Sequence, residues 1–359
     1  MALIHVIIPV YNAEIFINET VESVLKQYSN DHIDILLVDD GSTDRSGLLC
    51  DELAKKYMNV SVIHQKNAGV STARNRGIEH FINCNENDLL CFLDADDLWK
   101  EGVFEKNLLT ELQEKVDVEV FVFGGINCTE DVSRFSNPYQ YKPEIIDGGN
   151  GAIWKLQRHF CANLYRLNLL KKWNIRFQEG LKYSEDKIFM MQCAFLAEKI
   201  NFMPQILHIY RISAKSVMGT YKNLSPMDYY MPIIDGWIAS DLFLNSMMSI
   251  SKKSTDAGFV LASIYFGDMA REHYMRWHLS NKLNNMKNHT HYYLFENMNA
   301  NCVSKKQFSD HNLLINHPKL FRIKYNIVGI IEFSARLLLK LKPINDFRIK
   351  KKYPLKDFR

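Results

Sequence analysis

The chain has 359 residues, 47% hydrophobic and 24% charged, an ordinary globular balance with room for two domains. No run of 18 apolar residues exists, and residues 1–10 lack the basic start and small-residue cleavage site of a signal peptide. The seven cysteines are odd in number, scattered, and without a Cys-x-x-Cys pair, so a disulfide frame and a zinc site are set aside in favour of reduced core cysteines in a cytoplasmic protein.

The first strand is expected over residues 4–10, followed by a helix with Ile17, Val21, Val24, Leu25 and Tyr28 at helical spacing. Ile33 to Val38 reads as a second strand ending in Asp39-Asp40-Gly41, after which Ser42, Thr43 and Asp44 should open a helix as cap and first-turn residues. Val60 to His64 is a third strand, and Val70, Ala73, Gly77, Ile78 and Phe81 give the next helix an apolar face. Asp88 to Leu93 is a fourth strand and Val118 to Phe123 a fifth. Strands alternating with helices predict βαβ units and a mostly parallel sheet in an α/β domain. Residues 124–150, rich in Gly, Asn, Pro and Asp, read as a loop or strand-poor insertion. Helices are expected near 159–172 and 185–198 and a short apolar strand near 200–210. Residues 216–318 read as an irregular, mainly helical region, and no internal repeat is found.

The densest chemistry lies in Phe92-Leu93-Asp94-Ala95-Asp96-Asp97. A buried apolar run breaks into carboxylates where the strand leaves the sheet, the end at which open α/β sheets bind ligands. Two aspartates one residue apart make a hard oxygen site suited to Mg²⁺ or Mn²⁺ carrying a diphosphate. By itself the pattern fits equally a strand–turn–helix junction capped by Asp96 or Asp97.

Other motifs stand in a fixed order around it: Val6-Ile7-Ile8-Pro9-Val10-Tyr11-Asn12, Val38-Asp39-Asp40-Gly41-Ser42-Thr43-Asp44, Asn67-Ala68-Gly69-Val70-Ser71-Thr72-Ala73-Arg74-Asn75-Arg76-Gly77, Asp94-Ala95-Asp96-Asp97 and Glu185-Asp186. Over roughly residues 3–215 the sequence resembles glycosyltransferase family 2, inverting nucleotide-sugar transferases of GT-A fold. The resemblance implies a donor site built from Pro9, Tyr11, Asp40, Asn67, Gly69, Arg74, Asp94, Ala95, Tyr210 and Arg211. Within it, Tyr11 would sit against a planar base and Asp40 would accept the imide N–H of uracil. Asp39 would tie its turn together, and Gly41 would permit it. Asn67, Gly69 and Arg74 lie where a helix N-terminus and a guanidinium both favour phosphate. Asp94 would lie near the ribose and Asp96 on the metal, with Asp97 as a helix-start carboxylate. Asp186 is implied as the general base for the acceptor hydroxyl and Glu185 as its orienting neighbour. Asn75 and Arg76 read as structural. His208 is a candidate for the diphosphate neighbourhood, though a lone histidine in an apolar strand is more often packed.

Charge is unevenly placed. Residues 319–359 hold eight Lys and four Arg against Glu332, Asp346 and Asp357, a net of +9, which leaves residues 1–318 at −6 in a chain of net +3. Lys319 to Lys342 reads as a helix with a wide apolar face, so this tail suits an anionic membrane surface, with docking on the protein as the alternative. Nucleic acid is disfavoured, because aromatic-interleaved basic motifs are missing.

The expected protein is therefore a cytoplasmic glycosyltransferase at the inner membrane face. It would use a UDP-sugar, a divalent cation, and a saccharide or lipid-linked acceptor in surface-polysaccharide synthesis. A non-catalytic nucleotide-sugar-binding subunit of an assembly complex is the alternative, disfavoured by the presence of Asp94, Asp96 and Asp186 together. A nucleotidyltransferase would carry a Gly-rich phosphate loop after the first strand, which residues 11–16 lack.

Overall fold

A computed structural model describes residues 4–27, 32–149, 152, 156, 160–181 and 185–212. The expected helical region 216–318 and the basic tail 319–359 lie outside the described residues.

The first half follows the predicted alternation. Strand β1 (Ile4–Val10) leads to helix α1 (Ile17–Leu25), β2 (Ile33–Asp39), α2 (Ser46–Lys56), β3 (Val60–His64), α3 (Val70–Phe81) and β4 (Leu89–Phe92). These strands pair in the order β3-β2-β1-β4, all parallel. Every residue of β1 and β4 is buried, as expected of central strands covered on both faces. Pro9 is tolerated in β1 because pairing to β4 ends at Ile7 opposite Phe92, before the missing N–H would be needed. α3 lies close against the sheet: a Cβ on Gly77 would stand 2.5 Å from Ile7 Cγ2.

The second half holds more strand than the composition suggested. After the two-residue β5 (Leu98–Trp99) and α4 (Lys106–Glu114), β6 runs the full length of Val120–Thr129. Residues 124–150 are therefore not strand-poor: β6 continues through Gly124-Gly125, and β7 (Phe135–Tyr139) and β8 (Glu144–Asp147) follow. Gly124 is required there, since a Cβ would fall 2.2 Å from the Tyr139 carbonyl oxygen. The polar composition reflects edge strands with exposed side chains, not a loop. Likewise the expected helix near 159–172 divides into a 3₁₀ turn at Phe160–Ala162, strand β9 (Asn163–Arg166) and α5 (Leu167–Lys172). β9 is short and buried on every residue, and a buried strand of that length has no periodicity to read. Helix α6 spans Glu185–Leu196 and β10 spans Lys199–Ile212.

The sheet continues β4-β9-β6-β10-β5, with β7 beside β6 and β8 beside β10. β10 runs parallel to β6, while β9, β7, β8 and β5 enter antiparallel. The register of β10 shifts between Phe202 and Ile206, where Pro204 cannot donate to the ladder. Arg166, 2% exposed, donates to the carbonyls of Asn87, Leu112, Lys115 and Val118 and staples β9 to the loops at the other end of the sheet.

Candidate active site

The carboxyl ends of β1, β2, β3 and β4 lead into the first four motifs. Behind β1 and β2 the two loops are laced together. The Asn12 side chain accepts from Thr43 N, Ser46 Oγ accepts from Ala13 N, and Asp44 accepts from Ser46 N. Ser42, Thr43 and Asp44 thus form the turn that precedes α2, and the helix itself begins at Ser46 with no side-chain cap. Thr43 donates across the loops to Asn12, while Asp44 serves the Ser46 N–H at the start of α2 from two residues upstream. Asp39 ties its turn, accepting from Ser42 N and facing His64 Nδ1 at 2.8 Å. Gly41 takes φ 71°, and a side chain there would strike the Asn67 backbone.

Asp40 is 3% exposed. It accepts from Gln65 Nε2, Ala68 N and Gly69 N, each at 2.8 Å. A carboxylate offers about four acceptor positions, so roughly one is left for a ligand. Asp40 thereby shapes the 65–69 loop leading into α3. Gly69 precedes that helix at φ 94° with open space around its Cα, and Asn67 is exposed beside it. Tyr11 is 52% exposed at the end of β1, free to meet a flat ring.

At the end of β4 the carboxylates crowd into one turn. Asp96 is pushed up to about 7 by burial first and then by the neighbouring charges of Asp97 and Asp94. Asp97 does not start a helix. It precedes β5 and is 1% exposed, with Oδ1 accepting from Arg211 N and Oδ2 2.8 Å from His208 Nε2. His208 is therefore the packed histidine, held against a carboxylate 111 residues away. The Arg211 guanidinium is also buried. It donates to the Asp96 carbonyl, to the Glu130 carbonyl and to Glu19 Oε2, lies over the Phe16 ring, and so fastens the aspartate turn from behind. Tyr210 sits half-buried beside it, its hydroxyl pushed up to about 12 by burial and by the charges of Asp97, Asp96 and Asp94.

Asp94 and Asp96 stand in one turn and offer hard oxygen donors of the kind that Mg²⁺ or Mn²⁺ takes, although Asp94 is also held by Arg74. A second cluster, Asp97, Cys161 and His208, brings one ligand atom from each within 4.8 Å of the others. It fits a hard cation poorly: Asp97 is already engaged by His208 and Arg211, and burial holds the Cys161 thiol far above its usual range.

Arg74 joins this turn to α6. Its Nη2 donates to Asp94 Oδ1 at 2.7 Å and its Nη1 to Glu185 Oε1 at 2.9 Å. The guanidinium is 3% exposed and lies 5.0 and 5.2 Å from the Phe160 and Phe177 ring centres. Burial opposes its charge, but Asp94 and Glu185 outweigh that and hold it protonated. Glu185 is raised to about 7 by burial and by Asp186, with Arg74 pulling the other way. Asp186, in the first turn of α6, is more open, and its Oδ1 accepts from Lys187 N. Phe160 and Glu19 carried no sequence signal for this site, since each meets its partner across a long stretch of chain; Phe177 lies in the 175–181 segment that resembles the family's acceptor side, but its contact with Arg74 was not legible.

The glycosyl transferase family 2 model matches residues 5–173. Glycosyltransferase GlyG of Streptococcus pneumoniae is 34% identical over 239 residues, 62% of this chain and 75% of that protein. The glycosyltransferase EpsJ of Bacillus subtilis is 32% identical over 226 residues, 60% of this chain and 62% of its own length. For the minor teichoic acid biosynthesis protein GgaB of Bacillus subtilis the figures are 31% over 223 residues, 60% and 24%, so the chain spans only part of these relatives. Among solved structures, Staphylococcus aureus TarS 1–349 in complex with UDP-GlcNAc matches with TM-score 0.64 at 19% identity, covering 93% of this chain and 92% of that one, which speaks for the fold. The chain belongs to glycosyltransferase family 2 and has the GT-A fold.

Proposed function

We propose that this chain transfers a sugar from a UDP-sugar, with inversion, to a hydroxyl of a saccharide or lipid-linked acceptor in surface-polysaccharide or teichoic-acid synthesis. The observation that carries the reading is Arg74, which binds Asp94 of the aspartate turn and Glu185 of the acidic pair in one guanidinium. Motifs about ninety residues apart thereby converge on one site. The relatives' names add weight, since one acts in minor teichoic acid biosynthesis and another, 26% identical over 228 residues, is the poly(ribitol-phosphate) beta-N-acetylglucosaminyltransferase TarS.

In this reading Tyr11 flanks the base and the free acceptor position of Asp40 takes the uracil imide proton. Pro9, Asn67, Gly69, Ala95 and Tyr210 border the nucleotide, and Asp94 lies by the ribose. Asp96 would hold Mn²⁺ or Mg²⁺, which would supply a counter-charge to the leaving diphosphate. Arg211 contributes by fixing the Asp96 carbonyl, and Arg74 keeps Asp94 oriented. Asp186 accepts the acceptor hydroxyl's proton as that oxygen attacks the anomeric carbon from behind. Glu185, held by Arg74, orients the site or the acceptor. The basic tail 319–359 meets an anionic membrane surface at the cytoplasmic face, where lipid-linked acceptors reside.

A donor-hydrolysis and transfer screen across UDP-, GDP- and CDP-sugars with Mn²⁺ tests the reading. Release of UDP from one or more UDP-sugars is expected. Binding of UDP-sugars without any turnover in the presence of acceptor would favour a non-catalytic binding subunit.

A further inference from the structure

Helix α3 reaches α6 by two routes, and the second involves a residue outside the donor and base sites. Next to Arg74, the Asn75 side chain is 7% exposed and pairs with the backbone of Phe177 as a strand neighbour would. Its Nδ2 donates to the Phe177 carbonyl at 3.0 Å and its Oδ1 accepts from Phe177 N at 2.8 Å. The second Nδ2 proton goes to Glu179 Oε1 at 3.1 Å. The Phe177 ring lies parallel to the Phe189 ring of α6, 4.2 Å between centres at 5°. Phe189 stands one turn after Glu185 and Asp186. Phe177 also forms one wall of the Arg74 guanidinium site.

A two-point amide clamp fixes both the position and the rotation of a backbone segment, which a single contact cannot do. The stacked rings then carry that position into α6 through a packed core in which side chains have little room to shift. We propose that Asn75 is a positioning residue for the acceptor-side base, acting through Phe177 and Phe189 to fix where the first turn of α6 presents Asp186. This rests on Asp186 being the base. Arg74 fixes Glu185 by charge, whereas Asn75 fixes the segment beneath it by shape, so the two adjacent residues of α3 hold the same turn at separate points.

The test compares full-length wild type, Asn75→Ala, Asn75→Asp and Phe189→Leu. Asn75→Asp keeps the acceptor but loses both donors. With the most active UDP-sugar, kcat should fall by about ten- to a hundredfold in all three variants, the loss expected when a reacting group is displaced by a fraction of an ångström to an ångström. UDP affinity by calorimetry should stay within about twofold, because no donor contact is touched. The Asn75→Ala/Phe189→Leu double variant should be little worse than either single one, as residues on one route are not additive. Wild-type kcat in folded Asn75→Asp or Phe189→Leu, with only a lower Tm, would overturn the proposal and leave Asn75 as scaffolding. If Asn75→Ala does not fold, those two variants decide. Asp186→Asn, run alongside, separates the two failures: an active Asp186→Asn variant overturns the base assignment itself, whereas a dead one beside fully active Asn75 variants overturns only the positioning role.

Discussion

Asp96 concentrates the conflict between stability and chemistry at this site. Its carboxyl and that of Glu185 both stand near 7, above the ordinary 3.8 and 4.5, chiefly through burial. The folded chain therefore holds protons that the unfolded chain has released between about pH 4 and 7, and the associated stability is lost as pH rises through 7. His64, raised by its hydrogen bonds to Asp39 and Asp51, acts in the same direction. Asp39 and Asp44 are lowered and act the opposite way, but only in the acid range. Metal-free protein should show a Tm that climbs between pH 8 and pH 5.5, and Mn²⁺ should flatten that slope by favouring the ionised Asp96. A Tm that falls over the same range would contradict the crowding of these carboxyls. By the same reasoning Asp96→Asn should abolish transfer and cation dependence while raising Tm at pH 7.5, because the neutral amide removes the penalty of ionising a buried carboxyl. Differential scanning fluorimetry beside a UDP-release assay reads both.

The acidic pair offers a second prediction at this scale. Asp186→Asn keeps shape but cannot take a proton, so transfer should fall by about two to four orders of magnitude with UDP binding retained. Glu185→Gln weakens the contact to Arg74 and should cost less. The reverse ranking would move the base to Glu185.

At the level of elements, α3 is the strut of the site. Its N-terminus follows the loop that Asp40 shapes, its middle carries Arg74 and Asn75, and Gly77 lets it lie against Ile7 of β1. Gly77→Ala should destabilise by about 1–3 kcal/mol, the cost of overpacking, although alanine is the better helix former. Pairing it with Ile7→Ala should restore part of the loss beyond additivity, and denaturant melts of the four proteins measure this. The face of α3 was legible in the spacing of Val70, Ala73, Gly77, Ile78 and Phe81, of which all but the half-buried Val70 are buried. What Arg74 and Asn75 touch was not, because their partners lie at Asp94, Phe177, Glu179 and Glu185. The strands of 124–150 and β9 were misread for a related reason. An edge strand shows polar side chains, and a four-residue buried strand shows no period, so local pattern cannot separate them from loop or helix.

Across the whole molecule, charge separates the basic 319–359 from an acidic remainder. Among the described residues no helix is long and apolar enough to cross a membrane. Deleting 319–359 should shift the protein off anionic vesicles in a sedimentation assay while donor hydrolysis persists, since the donor motifs end by Arg211. Unchanged partitioning, or loss of the far-UV circular dichroism signal, would favour a tail docked on the protein.

The sequence by itself determined the α/β class, the alternating strands and helices of the first half and the family, while the strand order β3-β2-β1-β4 came from the fold. Apolar strands, helical spacing and acidic strand ends are local properties that survive in one dimension. Tertiary structure decided what each acid does. Asp39 and Asp40 differ by one position, yet one closes a turn against His64 and the other organises the 65–69 loop. Asp96 and Asp97 likewise differ by one position. Asp97 is spent on His208 and Arg211, while Asp96 is left in a buried, like-charged turn that raises its carboxyl to about 7. At a strand end or in a tight turn, adjacent side chains leave the backbone in different directions, and only the fold says which direction holds a partner.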